Sequence, residues 1–263
     1  DLVKGEMRGK LYLLPGDGRC IEMLDYDPMT RSNDGKCDPQ GRFWCGTSDL
    51  VKGEMRGKLY LLPGDGRCIE MLDYDPMTRS NDGKCDPQGR FWCGTSDLVK
   101  GEMRGKLYLL PGDGRCIEML DHLGISNGLG FAGDTVYFID SVRHSVDSYR
   151  LDEDTLTLRD HRVVVSIREG MVPDGMTMDE EGMLWVAHWG GGFVGRYDPR
   201  DGRLLAQVKI PASQCSSCCF GGTDMQTLFI TCGAVNCPEE TEAGKVFAVR
   251  LPYRGVESWK YRG

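Results

Sequence analysis

The chain has 263 residues, of which 40% are hydrophobic and 27% charged, with a formal net charge of −8. This is a globular composition, neither disordered nor collagen-like, and no run of about 18 apolar residues offers a membrane span. The charges are mixed in sign with no Lys/Arg block, which argues against nucleic acid as a partner. The opening Asp-Leu-Val-Lys starts no apolar h-region. A cytoplasmic chain without a signal peptide, a monomer, is therefore expected.

An internal repeat dominates the first half. Residues 1–48 and 49–96 are identical, and 97–121 repeat the first 25 residues again. A weaker period continues beyond them, marked by Asn33, Asn81, Asn127, Pro173 and Cys218 at spacings of 48, 46, 46 and 45. Eleven residues after each anchor stands an apolar strand residue: Trp44, Trp92, Phe138, Leu184 and Phe229. Between anchor and strand lies a turn of DPQGR, AGD, DEEG or GGTD type. Asp accepts backbone bonds in such turns and Gly supplies positive φ, so each predicts a hairpin.

A second strand pair follows in each unit. Its first members are GKLYLL, VDSYRL, FVGRYD and KVFAVR; its second members are CIEML, RVVVSI, LLAQVKI and VESWKY. No apolar stripe of helical period competes with this pattern. Four short antiparallel strands in about 46 residues are the pattern of a β-propeller blade. Five inner pairs and six outer pairs can be counted. The expectation is an all-β fold, a six-bladed β-propeller, incomplete at the first blade and forming a single domain over 1–263.

The 12 cysteines are read as reduced thiols in strands. The Cys215-Ser-Ser-Cys218-Cys219 cluster lacks a second CxxC at zinc-ribbon spacing and is read as structural. Gly190-Gly191-Gly192 lies between strands with no following helix or Lys-Ser/Thr, so it is not a phosphate loop. There is no EF-hand loop and no GxSxG elbow for a serine nucleophile.

Four stretches carry a resemblance: RSNDGKCDPQGRFWCGT (31–47 and 79–95), ISNGLGF (125–131), VPDGMTMDEEGMLWVAHWGGG (172–192) and SSCCFGGTDMQTLFITC (216–232). Together they resemble the senescence-marker-protein, gluconolactonase and regucalcin family, from roughly residue 79 onward. The resemblance implies a six-bladed propeller with one divalent cation, Ca²⁺, Zn²⁺, Mg²⁺ or Mn²⁺, at a mouth of the central channel. It implies a lactonase, whose substrate is a small-molecule sugar lactone opened by metal-activated water.

Residue by residue, the resemblance implies Asn127 and Asp174 as metal ligands, with Asp174 also catalytic. It implies Arg79 and Asn81 as substrate contacts, duplicated one blade earlier as Arg31 and Asn33. The family's first-blade Glu ligand has no counterpart here. Glu6, Glu54 and Glu102 follow a Gly, but within GEMRG, just before an outer strand.

Each residue also has a plainer reading. Asn127-Gly128 and Asp174-Gly175 are common turn dipeptides. Arg79 and Asn81 could be a solvated Arg and a capping Asn, and Asp34 and Asp82 are strand-entry turn formers. His188 reads as a structural histidine, with a catalytic role as the alternative. The absent Glu supports a second overall reading, a non-catalytic calcium-binding protein or a propeller scaffold with an incomplete site.

Overall fold

A computed structural model describes residues 77–97, 99, 101–113 and 115–257 with their side chains, and the backbone of strands within residues 10–73. The elements are β-strands in strict succession. β1 (Lys10–Leu13) and β2 (Ile21–Asp25) form a hairpin. Next come β3 (Thr30–Cys37), β4 (Phe43–Asp49), β5 (Lys58–Leu62) and β6 (Ile69–Asp73), a four-stranded antiparallel meander. β7 (Thr78–Cys85), β8 (Phe91–Asp97), β9 (Gly105–Leu110) and β10 (Ile117–Leu123) repeat that meander. So do β11 (Ser126–Ala132), β12 (Thr135–Asp140), β13 (Ser145–Asp152) and β14 (Thr157–Ser166). The same holds for β15 (Val172–Met178), β16 (Leu184–Trp189), β17 (Phe193–Tyr197) and β18 (Leu204–Lys209). Last come β19 (Cys215–Gly221), β20 (Thr227–Cys232) and β21 (Val246–Arg250), in a sheet of three.

The all-β propeller pattern is therefore present, but the blade number is corrected. Four sheets have the four strands of a blade, where six were expected. Of the last outer pair, β21 forms, and the described chain beyond it takes another course. After β21 the chain does not turn back along that strand. Gly255 instead bridges to Asp179, and Val256 N–H donates to Met178 O at 3.1 Å. Pro252 has no N–H for a ladder. Gly255 is pressed so closely on the Phe220 side chain that a Cβ would overlap it. Residues 258–261, the end of the VESWKY segment, lie outside the described residues.

The chain divides into two compact units, 1–125 with 259–263, and 126–258. In the first, Trp92, Leu107 and Leu109 are fully buried. In the second, two clusters fill the spaces between successive sheets. One holds Ile139, Val146, Met176, Leu184 and Val186; the other holds Trp185, Val194, Phe220, Leu228 and Ile230. Burial falls across the blades whose side chains are described. The second strands β8 and β16 are almost wholly buried, whereas the fourth strands β14 and β18 are mostly exposed. The second strands therefore carry most of the packing, and the first strands beside them are held by a rigid surround.

Two of the hairpin turns show how their sequences close them. Asp86 Oδ1 accepts from the N–H groups of Gln88 and Arg90 at 3.0 and 2.9 Å, and Gly89 takes φ 81°. Asp179 does the same for Glu181 and Met183 at 3.0 and 2.9 Å, with Gly182 at φ 79°.

Candidate functional site

The first strand of each of five successive sheets carries an irregularity, and in the first four it falls at or just after the repeating anchor position. Register shifts fall between Ser32 and Asp34, Ser80 and Gly83, Ser126 and Leu129, Pro173 and Met176, and Cys215 and Ser217. Asn33, Asn81, Asn127 and Asp174 lie inside the first four shifts, the last three together with Asp82, Gly128 and Gly175. A bulge takes a residue out of the ladder and re-aims its side chain. The Asn-Gly and Asp-Gly dipeptides are thus neither hairpin turns nor caps; they are bulges within strands.

The glycines explain why. A Cβ at Gly128 would lie 2.6 Å from Met176 Cβ and 2.9 Å from Asp174 O. At Gly175 it would overlap Ser217 Oγ and lie 2.7 Å from Ser217 Cβ. At Gly83 it would lie 2.6 Å from Phe91 Cζ and 2.9 Å from Trp92 O. Such approaches are closed to any other residue. Within the second unit, β11 packs along β15 and β15 along β19. Asn127 and Asp174 are thereby brought onto neighbouring strands.

Asn127 is 7% exposed and Asp174 half-buried. The Asn127 Nδ2 donates to Ser141 Oγ at 2.7 Å, and Ser141 Oγ donates to the Pro173 carbonyl at 2.6 Å. Ser141 opens a single 3₁₀ turn, Ser141–Arg143, capped by Asp140 and closed by His144 in the left-handed region at φ 53°. His144 Nδ1 contacts the Met171 carbonyl at 2.9 Å. A carbonyl only accepts, so this nitrogen carries the proton.

Arg79 and Asn81 lie in the first unit, both half-buried on β7. Arg79 Nε donates to Ser96 Oγ at 3.0 Å, so Arg79 is anchored rather than merely solvated. Asp82 Oδ1 accepts from Gly83 N–H at 2.7 Å, inside the bulge. Glu102 is exposed and ion-paired to Arg104 at 3.2 Å, in a loop between β8 and β9. It stands outside the ladder that carries the candidate residues. The side chains of Arg31, Asn33 and Asp34, and Glu6 and Glu54 entirely, lie outside the described residues.

His188 is fully buried. Its ring stacks on Phe193 at 4.3 Å, and Nε2 meets the Tyr197 hydroxyl at 2.9 Å. Burial pushes its pKa down to about 4 and that of Tyr197 up to about 12. Burial thus favours the neutral ring of His188. The cysteines among the described residues are free thiols, and burial pushes the Cys215 thiol up to about 12.

The oxygen donors of Asn127 and Asp174 are of the hard type that Ca²⁺, Mg²⁺ or Mn²⁺ accept. By donor chemistry the pair fits a divalent cation. Among the described residues, no group of three or more His, Cys, Asp or Glu could hold a metal. Sequence reasoning missed Ser96 and Ser141. Each stands at or just beyond the end of the second strand of its hairpin, and that shared placement was the available signal.

Comparison with known proteins follows the same lines. The family described as SMP-30/Gluconolactonase/LRE-like region matches residues 1–74 and 70–234. Regucalcin from Bos taurus is 38% identical over 148 residues, covering 53% of this chain and 50% of its own. Regucalcin from Danio rerio is 39% identical over the same length and shares. The chain thus spans about half the length of the curated relatives it matches. A solved luciferin-regenerating enzyme superposes with a TM-score of 0.79 at 26% identity, over 98% of this chain and 89% of that one. A calcium-binding regucalcin from Agrobacterium tumefaciens strain C58 does so at 0.80 and 24% identity, over 97% and 87%, a likeness of fold. No helix among the described residues is long and apolar enough to cross a membrane.

Proposed function

The chain belongs to the SMP-30/gluconolactonase/LRE-like family, and from that premise we propose that it is a divalent-metal-dependent hydrolase of sugar lactones. The observation that carries the reading is the bulge. Asn127 and Asp174 occupy it on neighbouring first strands, each followed by a glycine that no larger residue could replace. That expense of backbone regularity is typical of a functional site.

Asn127 Oδ1 and the Asp174 carboxylate would hold the cation. A bound cation supplies a polarised carbonyl and a more acidic water. Asp174 would be the carboxylate to accept a proton from that water. The assignment of Arg79 to a lactone oxygen and Asn81 to a sugar hydroxyl rests on the sequence resemblance. In support, Asn81 occupies the same bulge in its own strand, and Arg79 is fixed two residues before it by Ser96.

The test is glucono-δ-lactone hydrolysis in a pH-stat, after chelation and after return of Mn²⁺, Zn²⁺ or Ca²⁺. Turnover above background that returns with metal, and is lost in Asp174→Asn, is expected. Turnover that survives complete metal removal would falsify the mechanism. One observation favours a second reading, a cation-binding protein without turnover. Asp174 is the one carboxylate of the pair, no group of three or more His, Cys, Asp or Glu that could hold a metal is present among the described residues, and Glu102 is exposed elsewhere. Cation binding with no hydrolysis under any metal would establish that reading instead.

A further inference from the structure

The polarity of the hydrogen-bond relay under Asn127 has a consequence for the cation. A side-chain amide has two ends of similar shape, one donating and one accepting. Only the oxygen end can ligate a cation. Something must therefore select which end faces outward.

The selection begins at a backbone carbonyl. Pro173 O can only accept, and it lies 2.6 Å from Ser141 Oγ. The single hydroxyl proton of Ser141 is committed there. Ser141 Oγ can then only accept from Asn127, 2.7 Å away. Asn127 must present its NH₂, and Oδ1 becomes the opposite prong of the amide. Ser141 is 2% exposed, so water does not compete for these bonds.

The same turn holds the other candidate ligand. Pro173 directly precedes Asp174. Two residues further back, Met171 O accepts from His144 Nδ1 at 2.9 Å. The Asp140–His144 turn thus grips the entry to β15 at two points while holding Asn127 of β11 at a third. The left-handed φ of 53° at His144 brings both grips onto one turn.

We propose that Ser141 is a positioning residue of the cation site. It sets the amide of Asn127 oxygen-outward and fixes the backbone one residue before Asp174. This inference rests on the cation reading given above. Ser141 itself touches neither cation nor substrate.

The experiment has two readouts on the full chain. The first is Mn²⁺ affinity by calorimetry for the wild type, Ser141→Ala, Asn127→Ala and the double variant. Loss of a partner that orients a ligand lowers affinity about 10- to 100-fold. A drop of that size is expected for Ser141→Ala. In the Asn127→Ala background the same change should cost less than about twofold, because Ser141 acts through Asn127. Equal losses in both backgrounds would overturn the proposal.

The second readout needs no metal. It is the side-chain ¹⁵N–¹H pair of Asn127, identified by its disappearance in Asn127→Ala. The pair is expected to be protected from solvent exchange in the wild type and unprotected in Ser141→Ala. An Asn127 amide that exchanges at the free rate in the wild type overturns the relay, whether or not the variant folds. A wild type that binds no Mn²⁺ overturns the cation reading, and the Ser141 relay then stands or falls on the amide resonance.

Discussion

Asp179 Oδ2 accepts the indole N–H of Trp185 at 2.9 Å, across a tight hairpin. Asp86 and Trp92 stand in the same relation at the same distance. In both cases the Asp lies six residues before the Trp, and both side chains are buried. The carboxylate closes the turn with one oxygen and takes the indole and an Arg Nε with the other. The Arg is Arg90 at 2.6 Å in one hairpin and Arg196 at 2.7 Å in the other. The turn, the strand that follows it and the core are thus joined by one side chain.

Asp179→Ala therefore removes four acceptor contacts at once. It also strips a carboxylate from Arg196, which is 5% exposed. Breaking a buried pair by removing one partner costs about 3–5 kcal/mol. The low end is expected, because Arg196 keeps Glu181 at 2.9 Å and the face of the Tyr253 ring at 4.2 Å. Urea unfolding of the wild type and the variant measures it. A change near zero would show that the carboxylate does not hold the turn.

Gly175→Ala should destabilise the chain and weaken cation binding together. The new methyl meets Ser217 Cβ and the Ser217 backbone at 2.7 and 2.9 Å. Backbone cannot step aside as a side-chain tip can. Overpacking of this kind costs about 1–3 kcal/mol. The displacement falls on the residue after Asp174, so Mn²⁺ affinity should fall more than it does for an equally destabilising core change such as Ile230→Val. Equal affinities at matched stability would separate the bulge from the site.

Stability should depend on pH through His188. Its folded pKa, about 4, lies below the ordinary value of 6.5 because burial disfavours the charged ring. The unfolded chain therefore takes up the proton first as pH falls. The contribution is fully present above about pH 6.5 and is lost as pH drops toward 4. For a shift of this size the loss is on the order of 3 kcal/mol. His188→Gln can still bond the Tyr197 hydroxyl, and its urea midpoint should vary less between pH 7 and 4.5. Parallel midpoints for the two proteins would assign the pH dependence to other groups.

Thiol labelling should distinguish neighbours in one short segment. Cys219 is exposed on β19, whereas Cys215 is fully buried with its pKa pushed up to about 12. The thiolate is the reactive form, and at pH 8 a thiol of that pKa supplies about one part in ten thousand. Brief iodoacetamide treatment, read by tandem mass spectrometry, should mark Cys219 and spare Cys215 until urea is added. Early label on Cys215 would mean that the strand opens locally.

Much of this architecture is local and was legible in the chain. The Asp and Gly of each turn, the Trp or other apolar residue that follows, and the spacing of the anchors repeat because every blade solves the same packing problem. They gave the hairpins and the four-strand unit. The candidates Asn81, Asn127 and Asp174 come from the family resemblance; read alone, Asn127-Gly128 and Asp174-Gly175 are turn dipeptides and Asn81 a capping residue. The family match follows from the same stretches.

Other features are products of contact between strands far apart in sequence. A bulge exists only relative to a partner strand, so Asn127-Gly128 reads as a turn until β12 and β15 are set beside it. The need for glycine at 128 and 175 comes from Met176 and Ser217, residues of the next sheet. Blade number was overestimated because every strand-like segment was counted toward a full blade, while among the described residues the first sheet pairs β1 with β2, the last pairs β19 to β21, and the chain after β21 is drawn by Gly255 and Val256 to the hairpin of β15 and β16. Ser141 was overlooked because its one signal, a place just beyond the end of a second strand, does not say what it bonds. Its importance lies in two bonds, to Asn127 and to the Pro173 carbonyl, that span 14 and 32 residues. The sequence by itself determined the repeating unit, since each blade is built from short-range turns and alternation. The tertiary structure alone decided where that regularity is broken, because a break in a strand is defined by its neighbours.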